Sequence, residues 1–122
     1  MQERPAVLVA DDDFDFREAM EAALRAFGLR VLLAATVDEV CRLLAAHRVD
    51  LVLTDVRMPG DGATLPGRLR SSHPGLPVIV MTGFDEPGVR RRVFADGAIA
   101  YLEKPIDLGR LRAVIEGALA GP

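Results

Sequence analysis

The sequence predicts a doubly wound α/β fold, a parallel sheet covered by helices on both faces. Three observations lead there. Short continuous apolar runs, such as Ala6-Val7-Leu8-Val9-Ala10 and Val78-Ile79-Val80-Met81, have strand length and no polar alternation, as strands buried on both faces require. Between such runs, apolar residues recur at three- and four-residue spacing, the period of a helix with one buried face. The two patterns alternate along the chain, the order produced by right-handed β–α–β crossovers.

In chain order, the run over residues 6–10 is ended by Asp11-Asp12-Asp13. Phe16, Ala19, Met20, Ala23, Leu24 and Phe27 then mark the inner face of a helix that Gly28 stops. Arg30 to Ala35 is a second strand, followed by a helix with Thr36 or Asp38 as N-cap and Val37, Val40, Cys41, Leu44 and Ala45 inward. Leu51-Val52-Leu53-Thr54 is the third strand, and Met58-Pro59-Gly60 forces a turn just after Asp55. From Asp61 to Ser72 the spacing of Leu65, Arg68 and Leu69 is helical, but Pro66-Gly67 shortens or breaks that helix. Pro77 to Met81 is the fourth strand, ended by Thr82-Gly83. Asp85-Glu86-Pro87 opens a helix with acids at its positive dipole end; Val89, Val93 and Phe94 face in, and Gly97 closes it. Ile99 to Leu102 is the fifth strand, followed by Glu103-Lys104-Pro105, and Asp107 to Ala120 is a last helix burying Leu108, Leu111, Ile115, Ala118 and Leu119.

A chain of 122 residues suits one domain that buries about two-thirds of its unfolded surface without metal or disulfide staples. Its net charge of −3 gives no reason to expect nucleic acid against this chain. The single cysteine, Cys41, excludes an internal disulfide and is read as a buried, inert thiol in a reducing compartment. Without an apolar run of membrane-spanning length or a signal-peptide core, a cytoplasmic location away from membranes is expected. Of 15 basic residues only Lys104 is a lysine, which suggests that its compact ammonium is needed.

Polar residues fall at the carboxyl ends of four strands: Asp11 and Asp12, then Asp55, Thr82 and Lys104. Ligands of open α/β sheets collect at that rim. The second strand ends in Ala34-Ala35, as suits an edge away from a site. Two carboxylates at about 4 Å repel by roughly 4 kcal/mol at an effective dielectric of 20, so three together call for a cation. Oxygen ligands favour Mg²⁺, while His47 and His73 lie away from the strand ends and give no zinc cluster. An Asp, a divalent metal, a lysine and a hydroxyl are the parts needed to move a phosphoryl group onto a carboxylate.

Four segments together make the chain resemble the receiver domain of two-component response regulators over essentially its whole length. They are Val9-Ala10-Asp11-Asp12-Asp13, Leu53-Thr54-Asp55-Val56-Arg57-Met58-Pro59-Gly60, Val80-Met81-Thr82-Gly83 and Tyr101-Leu102-Glu103-Lys104-Pro105. The resemblance implies a flavodoxin-like three-layer sandwich with five helices and strand order 2-1-3-4-5, residues 1–122 forming one receiver with no output domain in this chain. It implies a phosphoacceptor rather than a turnover enzyme, with Asp55 taking a phosphoryl group from the phosphohistidine of a sensor kinase or phosphotransfer protein. Asp11, Asp12, Asp55 and the Arg57 carbonyl would hold Mg²⁺, and Lys104, followed by a cis bond to Pro105, would pair with a phosphoryl oxygen. Thr82 and Tyr101 would form a switch that reshapes the face of the fourth helix, fifth strand and fifth helix for an effector, a fused output domain or a second copy. Arg57 and Phe84, two residues beyond Asp55 and Thr82, would tune the lifetime of the aspartyl phosphate.

The resemblance is not complete. The loop between Gly60 and Asp61 is one residue shorter than receivers commonly have, Pro66-Gly67 falls in the third helix, and Ile106 stands where Phe is common. A dehalogenase-type phosphohydrolase would want a second Asp where Arg57 stands, and a flavodoxin-like binding module would want a phosphate loop where three acids stand.

Overall fold

A computed structural model describes residues 3–83 and 86–120. Its strands are β1 (Ala6–Ala10), β2 (Arg30–Ala34), β3 (Leu51–Asp55), β4 (Val78–Thr82) and β5 (Ala100–Glu103). Its helices are α1 (Phe14–Ala26), α2 (Val37–Ala46), α3 (Leu65–Ser72), α4 (Pro87–Ala95) and α5 (Leu108–Ala120). All pairings are parallel and the sheet order is β2-β1-β3-β4-β5. The expected order and fold class are therefore observed.

Alternation along each strand divides the core between two faces. Val7, Val9, Leu51, Leu53, Ile79 and Met81 pack with Met20 and Leu24 of α1 and Leu111 and Ile115 of α5. On the opposite face, Leu8, Ala10 and Val52 meet α2 and α3, while Val80 and Tyr101 meet Val93 of α4. Both faces of β3 are covered, which is why its sequence shows no polar alternation.

The helix starts are chemically defined. The Asp13 carboxylate accepts the Phe16 N–H at 3.0 Å, capping α1. Of the two candidates for α2, Thr36 is the cap, accepting the Glu39 N–H at 3.1 Å while the Glu39 carboxylate accepts the Ala35 N–H at 2.8 Å. Pro66 does not break α3. It sits in the first turn, where a missing N–H leaves no bond unmade, after a 3₁₀ turn over Gly62–Thr64.

Some expected burial is not found. Ala19 and Ala45 are exposed, and Cys41 is only half-buried, its Sγ 3.8 Å from the Arg68 guanidinium. Phe94 is 42% and Leu108 49% exposed, and Ile99, also 49% exposed, precedes β5 instead of belonging to it. These last three flank β5, the edge strand, where no further strand extends the sheet beneath them.

Candidate functional site

Strand register brings the polar strand ends together. Ala10 is level with Thr54, Asp55 with Met81, and Thr82 with Glu103, so β1, β3, β4 and β5 end at one rim. Asp11, Asp55 and Thr82 are buried there, at 1%, 6% and 0% exposure. Lys104 is placed by the ladder itself, because its N–H donates to the Thr82 carbonyl at 2.7 Å. The peptide bond from Lys104 to Pro105 is cis.

The Lys104 ammonium joins the two buried acids. Nζ lies 2.5 Å from Asp11 Oδ2 and 2.6 Å from Asp55 Oδ2. The other oxygen of each acid takes a backbone N–H: Asp13 donates to Asp11 Oδ1 at 2.9 Å and Arg57 to Asp55 Oδ1 at 2.8 Å. Both carboxylates are thus held in one orientation. Burial pushes the Asp11 carboxyl above the usual aspartate range, although hydrogen bonds from Lys104 and Asp13 oppose the shift. For Lys104 burial disfavours the ammonium, but its bonds to Asp11 and Asp55 prevail and hold it above the usual lysine range.

The loop after β3 is shaped around Asp55. Gly60 and Asp61 both have positive φ, 96° and 65°. A Cβ on Gly62 would lie 2.7 Å from the Asp55 carbonyl oxygen, so only glycine fits under the acid in this tight return. The short loop after Gly60 closes through these residues.

Asp12 is exposed at the rim, and among the described residues no three acid, histidine or cysteine side chains stand together as a metal site. The donor set nevertheless suits a hard dication. Lys104 answers one of the negative charges of Asp11, Asp12 and Asp55, and all the oxygens are of the kind Mg²⁺ accepts. His47 and His73 follow α2 and α3 at the opposite end of the sheet.

Tyr101 is buried, packed with Val80, Val93 and Ala98, its ring centroid 6.3 Å from that of Phe94 and 5.3 Å from the Arg90 guanidinium. It lies opposite Val80, on the sheet face that Val80 shares with Thr82. Phe84 lies outside the described residues. Arg57 is ion-paired with Glu86 at the start of α4, bridging two loops of the rim.

Three contacts had no signal in the sequence. They are the Arg57–Glu86 pair, the Arg17 guanidinium donating to the Asp11 carbonyl at 2.7 Å, and the Phe16 ring, whose centroid lies 4.0 Å from Lys104 Nζ. The spacing of Phe16 marks only a helix face.

Comparison with known proteins gives this geometry a lineage. The family described as Response regulator receiver domain matches residues 7–116. The DNA-binding transcriptional regulator NtrC of Salmonella typhimurium is 37% identical over 119 residues, covering 97% of this chain. The chain spans 25% of that relative's length. Among solved structures, the signal receiver domain of an HD domain-containing protein from Pseudomonas fluorescens superimposes with TM-score 0.93 at 27% identity, covering 97% of this chain and 96% of the other. The beryllofluoride-activated NtrC4 receiver domain dimer gives 0.88 at 28% identity, covering 94% and 96%. With the sheet order, the rim acids and the lysine already in register, the match over most of its length makes this chain a member of the response-regulator receiver domains.

Proposed function

We propose that Asp55 is the phosphoacceptor, taking a phosphoryl group from the phosphohistidine of a sensor kinase or phosphotransfer protein. The observation that carries this reading is the way Asp55 is held: buried, with one oxygen on the Arg57 N–H and the other on Lys104. An acceptor fixed in this way needs little reorganisation when a donor reaches it. As the oxygen–phosphorus bond forms and the donor's nitrogen–phosphorus bond breaks, Lys104 turns from the carboxylate toward a phosphoryl oxygen. Asp11 would remain its anchor during that movement.

Asp11, Asp12, Asp55 and the Arg57 carbonyl are the groups that would hold Mg²⁺. When bound, the ion neutralises charge on the transferred group. Thr82, buried at the end of β4, would add a hydrogen bond to the phosphoryl group. Tyr101 already stands inward, so phosphorylation would favour this position over an outward one and alter the face of α4, β5 and α5. That face would meet an effector, a fused output domain or a second copy; the beryllofluoride-activated NtrC4 receiver is itself a dimer. On this reading the chain is a phosphorylated switch in the cytoplasm, not a turnover enzyme.

Incubation with acetyl phosphate and Mg²⁺ tests the assignment. The parent should gain one acid-labile phosphoryl group and Asp55→Asn none, with its circular dichroism unchanged. Undiminished labelling of Asp55→Asn would remove Asp55 from the role.

A further inference from the structure

We infer that Phe16 is a positioning residue for phosphoryl transfer, its ring face holding the Lys104 ammonium between Asp11 and Asp55 while leaving it able to pivot. The inference rests on the reading of Asp55 as acceptor. An ammonium has three donor hydrogens, and two hydrogen bonds go to Asp11 and Asp55. Phe16 supplies a further contact: Nζ lies 4.0 Å from the ring centroid, within the range of cation–π attraction. The Lys104 side chain is 20% exposed, so the contact is partly desolvated and little weakened by water.

The kind of contact matters. A hydrogen-bonding neighbour would fix Nζ along one direction and compete with an incoming phosphoryl oxygen. A π face attracts the charge over a broad area and offers no lone pair in the ring plane's place. Lys104 can therefore exchange Asp55 Oδ2 for a phosphoryl oxygen without losing its support.

The ring's own position is set from the backbone. Phe16 lies in the first turn of α1, where the Asp13 cap accepts its N–H at 3.0 Å, and its side chain packs on the core beneath α1 and α5. The Arg17 guanidinium ties the same turn to the Asp11 carbonyl at 2.7 Å. The turn between β1 and α1 and the first turn of α1 thereby carry, side by side, the acid that anchors Lys104 and the ring that supports it.

Lys104 is the sole lysine of the sequence, so selective labelling of lysine ε-carbons yields one reporter. In the parent, ring current should move its ε-methylene protons upfield. Phe16→Leu should return them to ordinary lysine positions and slow phosphorylation by acetyl phosphate about three- to tenfold, the scale of such a contact. Phe16→Tyr keeps the ring face and should restore both. An ordinary lysine shift in the parent, which requires no variant to fold, would overturn the inference, as would equal phosphorylation rates in the parent and Phe16→Leu. If the parent accepts no phosphoryl group at all, the assignment of Asp55 fails instead, while the lysine resonance still decides whether the ring holds the ammonium.

Discussion

Aspartates stand just before β3 and at its end, and their surroundings make them opposites. Asp50 is 28% exposed; one oxygen accepts the Ala6 N–H at 2.8 Å and the other lies 3.6 Å from Arg48, itself 82% exposed. It fastens the start of β1 beside β3, and its ion pair is a solvated one worth little. The Asp55 side chain is 8% exposed, shares a half-buried lysine with a second carboxylate, and sits at the rim where β3 gives way to its loop. The same side chain is a backbone clamp at one end of the sheet and a charged, reorganisable group at the other. What separates them is whether the second oxygen faces water or a crowded set of charges.

Exchanging the two tests that contrast most strongly. Asp55→Asn should abolish phosphorylation entirely, because its amide keeps an oxygen for the Arg57 N–H but lacks the nucleophile. Asp50→Ala should leave phosphorylation intact and instead lower stability in urea by about 1–3 kcal/mol, since it orphans the N–H of the buried Ala6. A variant of Asp50 that folds normally yet cannot be phosphorylated would dissolve the distinction.

The charge imbalance gives a second, smaller effect with a defined sign. A carboxylate whose folded pKa is raised binds its proton more readily when folded. Its ionisation therefore costs stability at neutral pH, and the cost fades as pH falls through the raised value of Asp11. Lys104 is raised as well, so its contribution is complete across this window and is lost only in strong alkali. If Asp11 holds Mg²⁺ as proposed, it must be ionised to do so; at a hundred times its dissociation constant the ion should stabilise the fold by about 2.7 kcal/mol near neutrality. Thermal denaturation should show that gain shrinking on acidification and vanishing in Asp12→Ala. A gain that grows as pH falls would contradict the sign.

The contrast also explains what the sequence could disclose. β1, β3 and β4, buried throughout, leave continuous apolar runs, and the edge strands β2 and β5 still carry short apolar runs, so all five were legible, and with them the strand ends that carry Asp11, Asp55, Thr82 and Lys104. Large apolar residues such as Met20 and Leu24 of α1 were read correctly, while the small Ala19 and Ala45 at the margins of their helix faces, and Phe94 and Leu108 beside the edge strand β5, are exposed. Contacts between residues far apart in the chain left no periodic trace. Phe16 looks like any core residue of α1, and Arg57 gives no hint of Glu86, 29 residues away. Pro66 was ambiguous because a proline ends a helix or begins one according to a turn the sequence does not display.

The smallest expected effect concerns the lifetime of the phosphorylated state. Hydrolysis of an aspartyl phosphate needs a water in line with the phosphorus, opposite the leaving carboxylate. Arg57 stands two residues past Asp55 and is engaged with Glu86, so it spans the rim from the β3 loop to the start of α4. Both side chains are about half exposed, at 55% and 51%, so the pair contributes little to stability. Its value lies in where it stands. Arginine is a permanent donor with no lone pair to take a proton from water, so a paired Arg57 would obstruct the approach without assisting it. We expect slow decay in the parent and a lifetime several-fold shorter in Arg57→Asn, whose amide oxygen can orient a water. Glu86→Gln, which weakens the pair but keeps the guanidinium, should fall between them. Each tenfold change in rate corresponds to about 1.4 kcal/mol, within reach of one placed water. Phe84, the other residue expected to flank this approach, is tested by Phe84→Glu, which should likewise hasten decay. Following loss of the acid-labile phosphoryl group after removal of acetyl phosphate gives these rates directly. Identical decay in parent, Arg57→Asn and Phe84→Glu would mean that neither residue gates the water and that lifetime is set by the groups on Asp55 itself, Lys104 foremost.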